Sequence, residues 1–129
     1  MFAWPASGTV TQEYGCTGYP IEPPSGSCPH FHDGIDIAGS TGTSIRAAAD
    51  GVVAFTGYRA DGALVVVMGH AGGYETVYAH LSSSSVRARQ FVKRGTRIGS
   101  MGCSGMCTGP HLHWEVWRNG ATLNPRAVS

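Results

Sequence analysis

Three absences close off three kinds of protein for this chain of 129 residues. No apolar run approaches the length of a bilayer-spanning helix, so no membrane insertion is expected. No charge of one sign dominates: nine Lys and Arg face eight Asp and Glu, a formal net charge of +1. The basic residues are scattered apart from Lys93-Arg94-Gly95-Thr96-Arg97, and no aromatic platform accompanies them, which argues against a nucleic-acid partner. No helical apolar period, repeat, coiled coil or long linker occurs, and 129 residues suit one domain with a real core, residues 1–129. The opening Met1-Phe2-Ala3-Trp4-Pro5 also lacks the charged and apolar regions of a secretory leader. An exported form would therefore come from a removed signal, a larger protein or another route.

What is present is glycine, proline and short β-prone segments. "GTVTQEYG" alternates, "GIDIAG" is a short apolar run between glycines, and "ADGVVAFTGY" is a turn entering a strand. "GALVVVMGHAGGYETVYAHL" has the form of two strands joined at "HAGG", with Val65, Val67, Val77 and Tyr78 adding β propensity. "TRIGSMG" and "HLHWEVWRNG" supply two more, the second ending in an Asn-Gly turn, while "SSSSVRARQFVKRG" is expected to be an irregular connection or a short helical turn. Close turns and short strands predict a mainly β fold, one small antiparallel sheet.

Four cysteines allow three pairings, and local spacing favours Cys16 with Cys28 and Cys103 with Cys107. Closing those loops would contribute about 3 and about 2 kcal/mol and would suit an oxidising location. Two other states remain open at this level: Cys103 and Cys107 as metal ligands, or free thiols.

Six histidines are many for this length. In "TGPHLHWEV", His111 and His113 fall on one strand face while Leu112 and Trp114 fall on the other. In "HFHDGIDIAG", Asp36 follows His32 by four residues, and a bend at the glycine would let both converge on one ion. With an imidazole from "HLH" they make a His, Asp, His set, and three protein ligands with one position left for water is how catalytic zinc sites are built. The helical H-E-x-x-H arrangement is absent, so strands and loops would have to hold the metal. His70 is expected to be an exposed turn residue, and His30 either a residue that supports a ligand from behind or a loop residue, rather than a ligand itself. Glu115 shares the His113 face and either orients that imidazole or is a solvated strand carboxylate.

The stretches "HDGIDIAGSTGT", "AAADGVVAFTG", "ETVYAHL", "VKRGTRIGSMG", "TGPHLHWEV" and "NGATLNP" occur in an order that resembles the catalytic domain of the lysostaphin-type (LytM-like) zinc endopeptidases, from about His32 to Pro125. That resemblance implies a small β-sheet with a loop-walled groove carrying a zinc site. It places metal ligands on His32, Asp36 and His113, catalytic histidines on His80 and His111, and Zn2+ as the cofactor. The implied activity is hydrolysis of bacterial peptidoglycan peptides, outside the cytoplasm, by a monomer. Two other readings attach to the same resemblance: a non-catalytic binding or regulatory module, which all five intact positions disfavour, and a carboxypeptidase. The segment "CTGYPIEPPSGSCPH", residues of about 15–30, is an elaboration beyond the pattern and is expected to wall part of the groove. An oxyanion-stabilising tyrosine, present in some relatives, cannot be matched to Tyr14, Tyr19, Tyr58, Tyr74 or Tyr78.

Overall fold

The computed structural model describes residues 1–129 and contains no α-helix. Its strands are Thr9–Gln12 (β1), Gly15–Cys16 (β2), Phe31–His32 (β3), Ile35–Ala38 (β4), Ser44–Arg46 (β5), Gly51–Tyr58 (β6), Leu64–Gly69 (β7), Tyr74–Ser84 (β8), Phe91–Val92 (β9), Arg97–Met101 (β10), His111–Arg118 (β11) and Ala121–Leu123 (β12). Ten of them form one antiparallel sheet whose main path runs β1-β4-β11-β8-β7-β6-β9, with β10 joining β8 to β5 and β12 lying beside β11. The antiparallel β fold expected from the turn spacing is thus what the chain adopts.

Alternation sorts the two faces of the central strands. On β11, Leu112, Trp114 and Val116 point into the core. On β4, Ile35 and Ile37 do the same, each alternating with a half-buried residue. Facing them across β8 and β7 are Tyr78, Leu81, Val66 and Met68, all essentially solvent-free. The opposite face of β11 carries His111, His113, Glu115 and Trp117, and register sets His113 opposite Asp36 on one side and Ala79 on the other. Opposed residues of an antiparallel pair share a face, so the sheet itself delivers His113 and Asp36 to one place.

The hairpin at "HAGG" forms as expected, with a short 3-10 turn over Ala71–Gly73 between β7 and β8. Asn119 and Gly120, both at positive φ (50° and 86°), turn β11 into β12 in the two-residue geometry that Asn-Gly favours. Within the serine-rich stretch, residues 85–90 form the expected irregular connection, but its two ends differ from expectation. Ser82, Ser83 and Ser84 extend β8, pairing with β10, because the Oγ atoms of Ser82 and Ser83 reach Ser100 Oγ at 2.8 and 2.5 Å and satisfy one another on the sheet. Phe91–Val92 within the same stretch is a short strand against β6.

Both local disulfides are present, Cys16 to Cys28 and Cys103 to Cys107, and no cysteine is free. The first closes the elaborated loop, which contributes β2 and pairs it with β3. This two-stranded ribbon, separate from the main sheet, is what carries His32 into place.

Candidate metal and proton-transfer site

His32, Asp36 and His113 converge. Asp36 Oδ1 lies 3.3 Å from His32 Nε2 and 2.9 Å from His113 Nδ1. The ligand atoms of the three residues all lie within 4.8 Å of one another. His32 is buried, and its Nδ1 donates to the Glu13 carbonyl at 3.0 Å, which leaves the Nε2 lone pair turned towards Asp36. His113 is held the other way round. Its Nε2 donates to Glu115 Oε2 at 2.7 Å, so Nδ1 is the atom that faces Asp36. Glu115 is itself buried and takes a second donor, Trp117 Nε1, at 2.7 Å on Oε1. Of the two readings of Glu115, the orienting one matches this contact: a carboxylate on the far nitrogen fixes an imidazole's tautomer and raises its basicity as a ligand.

Electrostatics follow from the crowding. Burial alone would depress His113, but the hydrogen bonds its ring donates to Asp33, Asp36 and Glu115 outweigh it and hold its pKa well above the ordinary 6.5. Burial likewise opposes His32, and Asp36 overcomes it to raise that imidazole. Burial would lift Asp36, yet the hydrogen bonds to His113 and His32 carry its carboxyl far below the usual range. The pocket is thus built to accept positive charge among two imidazoles and one carboxylate, as a proton or as a cation. Two nitrogens and one oxygen, each with its lone pair free to converge and the far nitrogens already engaged, fit a three-ligand zinc centre. A second group, Asp33, His113 and Glu115, is also compact, but the oxygens of Glu115 are committed to His113 and Trp117.

His80 and His111 stand beside this set. Their ring centroids are 4.6 Å apart, and His80 lies 6.2 Å from His113. Each donates Nδ1–H to a backbone carbonyl, His80 to Ser104 at 2.7 Å and His111 to Gly109 at 2.9 Å. A carbonyl only accepts, so both rings are fixed as Nδ1–H tautomers with Nε2 left as an acceptor. Burial, helped by the neighbouring His111 and His113, lowers the pKa of His80 against the opposing Ser104 bond. Strict alternation would send His80 to the core, since Ala79 already occupies the His113 face. A bulge between Tyr78 and Leu81 against β7, with His80 at φ 68°, turns its side chain back to the site.

The remaining histidines lie apart. His30 is a loop residue whose Nδ1 donates to the Glu22 carbonyl at 2.8 Å. His70, expected to be an exposed turn residue, is instead half-buried and tied to the Asp50 carbonyl and to Thr76, which continues to the buried hydroxyl of Tyr78. Two acidic neighbours join the site beyond those the sequence pattern marks: Asp33, 3.3 Å from His113 Nε2, and Glu22, 3.8 Å from His32 Nε2, whose two oxygens both accept from Gln12 Nε2. Asp33 adjoins His32 in "HDG", which is a signal for it; nothing in "IEPP" distinguishes Glu22. No tyrosine hydroxyl contacts the cluster through a hydrogen bond. On the same sheet face, an open depression of about 500 Å3 lies between the elaborated loop and the β11–β12 hairpin, lined by Tyr14, Pro23, Pro24, Phe31, Asp33 and Trp117 among others.

Comparison with known proteins gives a consistent picture. The DD-carboxypeptidase/endopeptidase Mpg of Neisseria meningitidis serogroup B is 42% identical over 137 aligned residues, covering 95% of this chain and 31% of that protein. The chain therefore spans about a third of the length of that relative. A zinc-containing peptidase from Vibrio cholerae superposes with a TM-score of 0.83 at 28% identity, over 95% of this chain and 38% of the other. The catalytic domain of the antimicrobial peptidase lysostaphin from Staphylococcus simulans superposes at 0.78 with 26% identity, over 94% and 91%. With residues 30–125 matching its pattern and the strand order built around a His, Asp, His cluster, this chain belongs to peptidase family M23.

Proposed function

We propose that this domain is a zinc-dependent endopeptidase that hydrolyses stem or bridge peptides of bacterial peptidoglycan, with His32, Asp36 and His113 as metal ligands and His111 and His80 handling the proton. The observation that carries the reading is the pair of Nε2 acceptors: His80 and His111, locked by carbonyls on their far nitrogens, sit beside a three-ligand set. Zinc held there would supply Lewis acidity, acidifying a water and polarising the scissile carbonyl.

The protein's own groups do the rest. His111, on the His113 face of β11, takes the proton of the attacking water at Nε2 and returns it to the leaving amine. His80 is kept neutral by burial, so its Nε2 accepts from the same water and aims it, and the two roles exchange without altering the geometry. Glu115 holds the His113 ring so that Nδ1 stays on target, and Glu13 does the same for His32 through its carbonyl. Two disulfides in so short a chain suit an oxidising, extracytoplasmic setting, where peptidoglycan lies.

Purified sacculi of defined cross-link type, digested with the domain and with a chelated control, test this reading. New amino termini at cross-links, dependent on zinc, are the expected result. Release of terminal residues alone would make it a carboxypeptidase, and binding without hydrolysis would make it a recognition module.

A further inference from the structure

Both carbonyls that fix the tautomers of His80 and His111 belong to one short loop, Cys103-Ser104-Gly105-Met106-Cys107-Thr108-Gly109. This loop has little else to hold its shape. None of residues 103–109 takes part in a backbone–backbone hydrogen bond, Met106 at its tip is 72% exposed, and two of the seven residues are glycine. Its ends are joined by the isolated bridge between Gly102 and His111. Within it, Gly105 at φ 75° packs closely against Ala63, and two further devices restrain the chain. Ser104 Oγ donates to the Leu81 carbonyl at 2.7 Å and accepts from Leu64 N at 2.9 Å, and the Cys103–Cys107 disulfide closes the turn that contains Ser104 and ends two residues before Gly109. Cys107 Sγ also packs against the His111 ring, 3.4 Å from Nδ1.

We propose that the Cys103–Cys107 disulfide is a positioning element for the proton-transfer pair: it holds the Ser104 and Gly109 carbonyls where they lock His80 and His111 as Nδ1–H tautomers, so that hydrolysis depends on the redox state of this bridge. The inference rests on the functional reading above for its effect on turnover, while its structural part, the tautomer lock, stands without it.

The chemistry is ordinary thiol–disulfide exchange. A dithiol reductant attacks one Cys sulfur as thiolate and forms a mixed disulfide, and its second thiol closes on the first to release both protein cysteines as thiols. Two electrons and two protons pass to the protein, and the reductant leaves as a cyclic disulfide. The opened loop, with two glycines and no backbone bonds of its own, samples conformations in which the Gly109 carbonyl leaves His111 and the Ser104 carbonyl, tethered through Oγ alone, swings off His80. The rings then populate both tautomers, and an Nε2–H ring cannot accept a proton from water. The metal ligands are untouched by this change, because the far nitrogens of His32 and His113 are held by Glu13 and Glu115, outside the loop.

The test compares the oxidised domain, the double variant Cys103→Ala/Cys107→Ala, and the domain reduced with a dithiol, freed of reductant in zinc-containing buffer, then reoxidised. Bound zinc, KM and kcat are measured on each, and long-range proton–nitrogen NMR correlations report the ring tautomers of His80 and His111. The expected result is a kcat lowered about tenfold or more, with zinc content kept and KM within about twofold, as for a catalytic group displaced from its productive geometry. Both histidines lose their pure Nδ1–H signature, and reoxidation restores it together with turnover. Unchanged tautomers or wild-type kcat in the opened loop would overturn the proposal, as would loss of zinc from the variant. If the variant fails to fold, the reduction and reoxidation series decides, run on native chain in which peptide mapping shows Cys16–Cys28 still oxidised, or on a Cys16→Ala/Cys28→Ala background where only the 103–107 bridge can open. If no form hydrolyses peptidoglycan, the functional reading fails while the NMR measurement still judges the lock.

Discussion

Replacing Gly34 by alanine tests how the metal ligands are brought together. Gly34 lies between Asp33 and Ile35 where β4 begins against β11, and a Cβ built there would sit 2.5 Å from the Trp114 carbonyl oxygen, 2.9 Å from His113 Cε1 and 3.1 Å from Glu115 Cγ. The first clash is with sheet backbone, which cannot swing aside as a side-chain tip can. Restoring ordinary contact, 3.4 Å or more, means moving the strands apart by about 1 Å at the point where His113 faces Asp36. Overpacking of this kind costs about 1–3 kcal/mol, several degrees in Tm for a domain of this size. The functional loss should be larger than the loss of stability, because the ring pushed by the new methyl is a proposed ligand. A misplacement of about 1 Å at a reacting centre costs about a hundredfold in rate. Gly34→Ala is therefore expected to remain folded at room temperature, to melt several degrees lower, and to lose about two orders of magnitude in turnover with weakened zinc retention. Thermal unfolding, zinc analysis and hydrolysis of labelled sacculi on one preparation check it. Wild-type melting and turnover together would refute the close-approach argument.

Three further outcomes follow from named contacts. Glu115→Gln has one acceptor oxygen for two donors, His113 Nε2–H and Trp117 Nε1–H, so zinc affinity measured by competition with a chelating dye should fall about 10–100-fold. Tyr78→Phe removes the buried hydroxyl that serves the Ala48 N–H and Thr76, leaving a buried donor unmet; denaturant unfolding should show a loss of about 1–3 kcal/mol, with turnover per folded molecule unchanged. Burial lowers the pKa of His80, so as pH falls through the ordinary histidine value of 6.5 this ring stays neutral and only charges below it. The His80 contribution to the acid limb of kcat should thus appear below pH 6.5, and a limb at or above 6.5 assigned to His80 by titration would contradict the burial argument.

Much of the site is legible in the sequence because strand alternation is a strong rule. His111 and His113 share a face, Leu112 and Trp114 take the other, and the Asn-Gly turn closes the next hairpin where expected. Where the rule breaks, the sequence is silent. His80 reaches the site only through a bulge and a left-handed residue, and no pattern in "VYAHLSS" announces either. The acceptors that set three of the four tautomers, the carbonyls of Glu13, Ser104 and Gly109, belong to the backbone and leave no mark in residue identity. The serine run misleads for a related reason: polarity marks loops on average, yet here hydroxyls pair with Ser100 across strands and keep the segment in the sheet. His70 has the sequence position of a turn residue, and the groups that cover it, Phe2 at 5.5 Å between ring centroids and the Asp50 carbonyl, are remote in sequence.

The division of labour between the two imidazoles of "HLH" is the centre of the account, and one paired measurement tests it: bound zinc and peptidoglycan turnover on purified His113→Ala, His111→Ala and His80→Ala, each confirmed folded by circular dichroism. His113→Ala is expected to lose zinc and activity together, since two remaining protein ligands hold the ion poorly. His111→Ala and His80→Ala should keep about one zinc per chain while turnover falls about a hundredfold or more. Zinc lost from His111→Ala and retained by His113→Ala would reverse the roles, and near-normal turnover in both proton-transfer variants would contradict the mechanism.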